Sequence, residues 1–319
     1  MSKYLQRGMS LVYLDQCAVS RLVGGERNAL WKPLRDAVLA AHASRRILCP
    51  LSLEHLSETA AMKETDAIEA DTILRRLSFG WSLAPEPRLI ARQIFCQITG
   101  TRLSRAQFLQ HGLWYPLGTP GLVEQFRKLK AELDMFNEWT MQGVNELNAL
   151  VRSGKRGGKE LRQFLSERRA QIYSVALHVA VTEAIQRGGV EIKAHPHYPQ
   201  CADWATSVVF ALVNENRFRL PQLEALAALL EKTGIASIPT LHIKSQLEGH
   251  QFFIRENITA GDQYDITRIA CALPFADVLV TDGGKAAAIR ELGLDKAYGT
   301  EVFSMKPSEL PSLITRMAQ

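Results

Sequence analysis

Four short apolar runs near the two ends of the chain constrain its fold more than any other feature. They are LVYLD at 11–15, RILCP at 46–50, DVLVT at 277–281 and EVFSM at 301–305. Short apolar runs of this kind are typical of parallel strands whose two faces are both covered by helices. Segments with apolar residues at helical spacing lie between them. The pattern therefore predicts an α/β fold with a doubly wound parallel sheet.

The 319-residue chain is long enough to form more than one compact unit. Its middle is almost entirely helical in pattern, with one short candidate strand, VEIKA, at 190–194. We therefore predict one α/β domain built from residues 1–65 and 255–319. Residues 66–254 would form a large all-helical insertion.

Several signals are missing from the sequence, and their absence narrows the class of protein. No run of eighteen or more uncharged apolar residues exists, so we expect no membrane span. The amino terminus lacks the pattern of a secretory signal. The five cysteines are scattered without paired spacing, which favours reduced thiols in the cytoplasm over a disulfide framework.

Acidic residues follow the apolar runs at the points where a ligand site is expected. Asp15 ends the first run, Glu58 follows the second and Asp282 follows the third. Asp265 stands in the helix that leads into the third run. Ligands of doubly wound sheets bind outside the carboxyl ends of the strands, so we expect these acids to converge.

Some acids have ordinary structural explanations that the sequence leaves open. Glu54 is better explained as a charge at a helix N-terminus. Asp262 fits an N-cap and a ligand equally well. Asp277 either begins the third strand or replaces Asp282 as the last ligand. Gln16, Ser52 and Thr281 are candidates for holding water or phosphate.

Grouped carboxylates indicate a hard divalent cation. Mg²⁺ takes oxygen ligands and keeps several waters, and two such ions can align the attacking and leaving oxygens of a phosphodiester. The sequence therefore predicts a nuclease dependent on Mg²⁺ or Mn²⁺. Its expected catalytic residues are Asp15, Glu58, Asp265 and Asp282, and Asp277 is a further candidate metal ligand.

A basic stretch in the helical middle suits a polyanionic substrate. Residues 152–169, RSGKRGGKELRQFLSERR, contain seven Lys or Arg and two Glu, in a chain of net charge +5. The stretch is either a solvated helix junction or a contact surface for a nucleic-acid backbone. The candidate nucleic-acid-binding residues are Arg152, Lys155, Arg156, Lys159 and Arg162.

Three motifs together resemble the PIN-domain nucleases. They are LVYLDQCAVSRL, similar to a strand-acid-helix opening of the LDQ type, then CPLSLEHLSET, then GDQYDITRIACALPFADVLVTDGG. The resemblance implies a three-layer α/β/α fold with a central parallel sheet, and metal-dependent endoribonuclease chemistry. It places the family's acids on Asp15, Glu58, Asp265 and Asp282, with Asp277 as an alternative for the last.

The chain departs from this pattern at two positions. Cys17 stands where the LDQ form commonly has Asn. Gly283 stands where many members have the last acid, two residues after the Thr. Either Asp282 or Asp277 substitutes for that acid, or the metal site is weaker.

Our leading interpretation is an endoribonuclease that acts on RNA in a toxin or defence setting. One alternative is a catalytically weak PIN-like protein with a nucleic-acid-binding or regulatory role. Another is a nuclease that acts on DNA. The sequence leaves open the oligomeric state and whether an inhibitory partner protein exists.

Overall fold

The structure is a computed structural model that describes residues 8–26, 28–52, 55, 58, 59, 62–111, 159–189, 204–254 and 259–319. The predicted strand at 190–194 lies outside the described residues. So do Arg152, Lys155, Arg156 and the side chain of Lys159.

The chain divides into two compact units. The first comprises Met1–Ala84, Phe108–Met135 and Ala272–Gln319, and the second comprises Pro85–Gln107 and Phe136–Cys271. This division differs from the predicted boundaries at 65 and 255. Residues 66–84 join the first unit because the helix they contain packs against the helix after the first strand.

The secondary structure is mixed, with helices in the majority. The described strands are β1 (Ser10–Leu14), β2 (Ile47–Leu48), β3 (Trp81–Leu83), β4 (Leu109–His111), β5 (Val278–Thr281) and β6 (Glu301–Ser304). The described α-helices are α1 (Gln16–Val23), α2 (Lys32–Ala43), α3 (Glu64–Ser78), α4 (Glu86–Thr99), α5 (Lys159–Gln186), α6 (Trp204–Phe210), α7 (Leu220–Thr233), α8 (Pro239–Ile254), α9 (Ala260–Ala272), α10 (Gly283–Glu291), α11 (Leu294–Tyr298) and α12 (Leu310–Ala318). None of the helices in the described part of the chain is long and apolar enough to cross a membrane.

A four-stranded parallel sheet in the first unit has the order β2-β1-β5-β6. Each of its strands falls within one of the four apolar runs, apart from Ser10, which precedes the first run, so the predicted parallel sheet and α/β class are confirmed. The registers pair Leu14 with Val280 and Thr281 with Ser304. The carboxyl ends of β1, β5 and β6 therefore lie along one edge of the sheet.

Alternate residues of the two middle strands pack into one apolar core. Val12 and Leu14 of β1 lie beside Val278 and Val280 of β5, and all four are buried. Side chains from α1, α2, α3 and α12 complete this cluster. Because β5 is buried along its whole length, no polar alternation marks it in the sequence.

A second, antiparallel pair of strands was not predicted. Trp81–Leu83 pairs with Leu109–His111 within a stretch whose Gly80 and Pro85 indicate a connection between helices. The amide of Leu51 donates to the carbonyl of Trp81 at 3.0 Å, so the pair also anchors the segment after β2.

The second unit is helical in its described residues. Its core includes Ile90, Leu177, Leu226 and Leu241, each fully buried. Helices α5 and α8 pack closely where Gly249 meets Ser166. A Cβ added at Gly249 would lie only 2.2 Å from the Ser166 Oγ. Only a residue without a side chain permits this contact.

Candidate functional site

Asp15 occupies the junction between β1 and α1, where the chain turns from strand to helix. Its amide donates to the Val280 carbonyl at 2.9 Å, which extends the pairing with β5 by one residue. Its carbonyl accepts from Ala18, and its Oδ1 accepts from the amide of Gln16 at 2.8 Å, so Asp15 is the N-cap of α1. The side chain is 5% exposed. Asp15 was predicted as a ligand, and the structure shows that it also caps α1, with one of its two carboxylate oxygens.

The other oxygen of Asp15 is held from the neighbouring strand. The hydroxyl of Thr281, a fully buried residue, donates to Asp15 Oδ2 at 2.8 Å. The Cys17 thiol lies 3.8 Å from the same oxygen. Thr281 therefore orients the carboxylate directly, which is a different role from the predicted contact with water or phosphate. Cys17, which stands where the LDQ form has Asn, also points to this carboxylate.

Asp282 occupies the equivalent junction after β5. It is the N-cap of α10, and its Oδ1 accepts from the amides of Gly284 and Lys285 at 2.6 and 3.1 Å. The register places Asp15 opposite Thr281, so Asp282 comes one residue further along the same edge. Two helix N-termini begin at these two acids, and their dipoles favour negative charge there.

Asp277 lies at the other end of β5. Its Oδ2 accepts from the amide of Leu11 at 2.8 Å, and its own amide donates to the Leu11 carbonyl. At a rise of about 3.3 Å per residue, roughly 16 Å separate Asp277 from Asp282 along the strand. Asp277 thus joins the amino ends of β1 and β5, and this position does not fit a site shared with Asp15.

His55 supports the carboxyl end of β1, a role that sequence reasoning did not assign. The amide of Ser52 donates to His55 Nδ1 at 3.0 Å, so this nitrogen has no proton. The other nitrogen, Nε2, therefore has the proton and donates to the Leu14 carbonyl at 2.7 Å. His55 is 1% exposed, and it fixes the residue that precedes Asp15.

Side chains around His55 have partners within the protein. The Ser52 hydroxyl lies 3.1 Å from the Tyr13 hydroxyl, and Gln16 Nε2 donates to the Thr59 hydroxyl at 3.3 Å. Ser52 thus connects the segment after β2 to β1, and Gln16 connects it to α1. We had predicted contacts of both side chains with water or phosphate. Glu58 is partly buried and follows His55 by one helical turn. Its participation as a metal ligand stays a prediction.

The two acids at the start of α9 belong to the second unit. Thr259 and Asp262 form a reciprocal capping box: the Thr259 amide donates to Asp262 Oδ2 at 3.1 Å, and the Asp262 amide donates to the Thr259 hydroxyl at 3.2 Å. The N-cap is therefore Thr259, and Asp262, predicted as an N-cap or a ligand, lies in the first turn of α9 and accepts from the cap residue. Asp265 Oδ1 lies 3.3 Å from the Nη2 of Arg268, a buried residue. The convergence of Asp265 with Asp15 stays a prediction.

Two of the predicted metal ligands, Asp15 and Asp282, follow neighbouring strands at the carboxyl edge of the sheet. Within the described ranges, no three His, Cys, Asp or Glu side chains are grouped closely enough to hold a metal ion. Asp15 and Asp282 nevertheless offer two carboxylates from neighbouring strand ends. Mg²⁺ is often bound through one or two carboxylates while water and substrate phosphate fill its other positions. Asp15 and Asp282 could serve as the protein ligands of an open site of that kind, and their binding of a cation stays a prediction.

Among the predicted nucleic-acid-binding residues, the structure describes the side chain of Arg162. It lies in the first turn of α5 and is partly exposed. Its contact with a nucleic-acid backbone stays a prediction.

No protein-family model, no curated protein and no solved structure matches the chain. The fold and the residues at the sheet edge are therefore the basis for functional inference.

Proposed function

We propose that the chain is a PIN-like endoribonuclease that depends on Mg²⁺ or Mn²⁺. The observation that supports this most is the placement of Asp15 and Asp282 after two neighbouring parallel strands, at one edge of the sheet. The order of the three sequence motifs supports the same class.

In this proposal the first unit supplies the metal ligands and their orientation. Asp15 and Asp282 hold the cation, which when bound polarises phosphate and lowers the pKa of a bound water. Thr281 and His55 keep the Asp15 carboxylate and its backbone in place, because orienting partners of metal ligands tune both affinity and geometry. Glu58 and Asp265 remain predicted additional ligands, to be tested by their own variants.

The basic residues Arg152, Lys155, Arg156, Lys159 and Arg162 are proposed to guide the RNA backbone. Such contacts add affinity without reading sequence. DNA is the alternative substrate, and a toxin or defence setting with an inhibitory partner protein remains part of the proposal.

A catalytically weak nucleic-acid-binding protein is the second candidate. Two observations favour it: Gly283 stands where the resembling family commonly has an acid, and no group of three potential metal ligands occurs among the described side chains.

Cleavage of labelled RNA and of DNA with the same sequence, in Mg²⁺, in Mn²⁺ and in EDTA, separates these candidates. Asp15→Asn tests the site, and Asp36→Asn, an exposed acid in α2 paired with Lys32, is the matched control. The asparagine keeps one oxygen for the Gln16 amide, and its amide nitrogen can donate to the Thr281 hydroxyl, so we expect the fold to persist.

We expect the wild type and Asp36→Asn to cleave RNA only with metal, and Asp15→Asn to fall to the level seen in EDTA. Wild-type cleavage rates in folded Asp15→Asn would refute the proposed mechanism. RNA binding without cleavage of either substrate would favour the second candidate, and preferential cleavage of DNA would change the substrate.

A further inference from the structure

The side chain of Lys306 occupies the space next to Gly283. A Cβ added at Gly283 would lie 2.6 Å from Lys306 Cε and 3.5 Å from Nζ. Gly283 directly follows Asp282, so the lysine lies beside the junction of β5 and α10. The absence of a side chain at 283 is what allows it to lie there.

The backbone before Lys306 is fixed at the same edge of the sheet as the two acids. Ser304, the last residue of β6, is paired with Thr281, the last residue of β5. The amide of Met305 then donates to the Thr281 carbonyl at 3.1 Å. Lys306 is therefore the second residue after β6, at the edge where Asp15 directly follows β1 and Asp282 directly follows β5.

The ammonium group of Lys306 is available for an external anion. Lys306 is exposed, and none of the ion pairs among the described residues involves it. Glu309, three residues further along the chain, forms an ion pair with Arg290. Its two oxygens accept from Arg290 at 2.9 and 2.7 Å, and one of them also accepts from the Ser304 amide. The local structure thus keeps the nearest acid along the chain away from the lysine.

We infer that Lys306 binds a phosphodiester group of the substrate at the carboxyl edge of the sheet, and that Gly283 makes room for it. The Lys306 side chain lies beside Gly283, the position at which many PIN-domain nucleases have their last acid. Lysine binds phosphate as a point charge and needs no fixed planar geometry. The inference rests on the proposed function for the identity of the polyanion, namely RNA, but the contact itself requires no metal.

Two variants perturb this contact in different ways. Lys306→Ala removes the ammonium group. Gly283→Ala adds a methyl group that meets the flexible end of the lysine, so it should displace the ammonium group while the backbone stays in place. Lys296→Ala in α11 is the charge-matched control, because Lys296 is exposed. Gly24→Ala is the control for the added methyl group, since nothing lies within 4 Å of a Cβ there.

Binding of the full chain to a fluorescent single-stranded RNA, in EDTA and over a series of NaCl concentrations, tests the inference. For Lys306→Ala we expect about tenfold weaker binding at low salt, as for one lost charged contact. The slope of log K against log[NaCl] should flatten by about 0.7, the value for one phosphate contact on a single strand. Gly283→Ala should shift both quantities in the same direction, and adding it to Lys306→Ala should change nothing further.

The inference is overturned if Lys306→Ala matches Lys296→Ala in affinity and slope, if Gly283→Ala weakens binding equally with and without the lysine, or if the wild type does not bind RNA in EDTA. The proposed function fails separately. A wild type that binds RNA through Lys306 but cleaves no nucleic acid would support this inference and refute the nuclease. Metal-dependent cleavage with no role for Lys306 in binding would do the reverse.

Discussion

Replacing Thr281 by valine tests how firmly the sheet edge holds the Asp15 carboxylate. Valine has the shape of threonine and suits a strand, so the change removes little besides the hydroxyl group. That hydroxyl donates to Asp15 Oδ2 at 2.8 Å between residues that are 0% and 5% exposed. A hydrogen bond to a charged group is worth about 1.5–3 kcal/mol. We expect Thr281→Val to lower the free energy of opening of the first unit by that amount.

Native-state hydrogen exchange of the β1 and β5 amides measures this free energy within the first unit. The expected loss corresponds to a reduction in protection of roughly 10- to 150-fold. Thr281→Ser, which keeps the hydroxyl group, should lose less of this protection than Thr281→Val. Thr72→Val removes an exposed hydroxyl that donates to the Ile68 carbonyl in α3, and it should stay within about 0.5 kcal/mol of the wild type.

Thr281→Val also tests the proposed function. If the cation binds at Asp15, loss of an orienting partner should weaken Mn²⁺ binding by roughly 10- to 100-fold. Wild-type protection of β1 and β5 in Thr281→Val would refute the claim that this hydroxyl holds the carboxylate.

Two further predictions concern buried titratable groups in the two units. His42 is 6% exposed and stacks on Phe79 with ring centroids 4.0 Å apart. Burial, with a smaller effect from the Arg76 charge, lowers its pKa below 6.5, so the unfolded chain binds this proton first. The first unit should therefore keep its full stability above about pH 6.5 and lose some as the pH falls towards the lowered pKa. Hydrogen exchange at pH 7.5 and 5.5 should show this loss, and an unchanged pH dependence in His42→Leu would contradict it. Glu248 is fully buried in the second unit and accepts from Arg169 Nε and from the Tyr173 hydroxyl, both at 2.7 Å. Glu248→Gln leaves the Arg169 charge uncompensated. It should lower the free energy of opening of the second unit by about 3 kcal/mol, as measured by hydrogen exchange of the α5 and α8 amides. Glu231→Gln, at an exposed acid in α7, should cost little. If Glu248→Gln lowered this free energy as little as Glu231→Gln, the buried Arg169–Glu248 pair would not be needed for the stability of the second unit.

The parallel sheet could be predicted because its strands are short and mostly apolar, and because β1 and β5 in its middle are buried almost throughout. The pair formed by Trp81–Leu83 and Leu109–His111 could not, because each strand has three residues and its pairing depends on a distant partner. Local breakers such as Gly80 and Pro85 there favour a loop, and the tertiary contacts outweigh them.

The acids at the sheet edge were predictable from chain direction alone. Residues that follow parallel strands meet at one edge, which is where Asp15 and Asp282 lie. The choice between Asp282 and Asp277 was not predictable, because both ends of β5 have an acid and only the register shows which end faces Asp15.

Positioning contacts were harder to find in the sequence. His55 donates to the carbonyl of Leu14, 41 residues away, and helical spacing shows only which face a residue occupies. The Thr259–Asp262 capping box, in contrast, has a readable local signature of a threonine followed three residues later by an acid.

Mn²⁺ binding, followed by electron paramagnetic resonance, tests the central claim most directly. The variants to compare are Asp15→Asn, Asp282→Asn and Asp277→Asn, and in the last the asparagine oxygen can still accept from the Leu11 amide. The account predicts a Mn²⁺ site in the wild type that is retained in Asp277→Asn and lost in the other two. No binding by the wild type, or loss of binding only in Asp277→Asn, would contradict it.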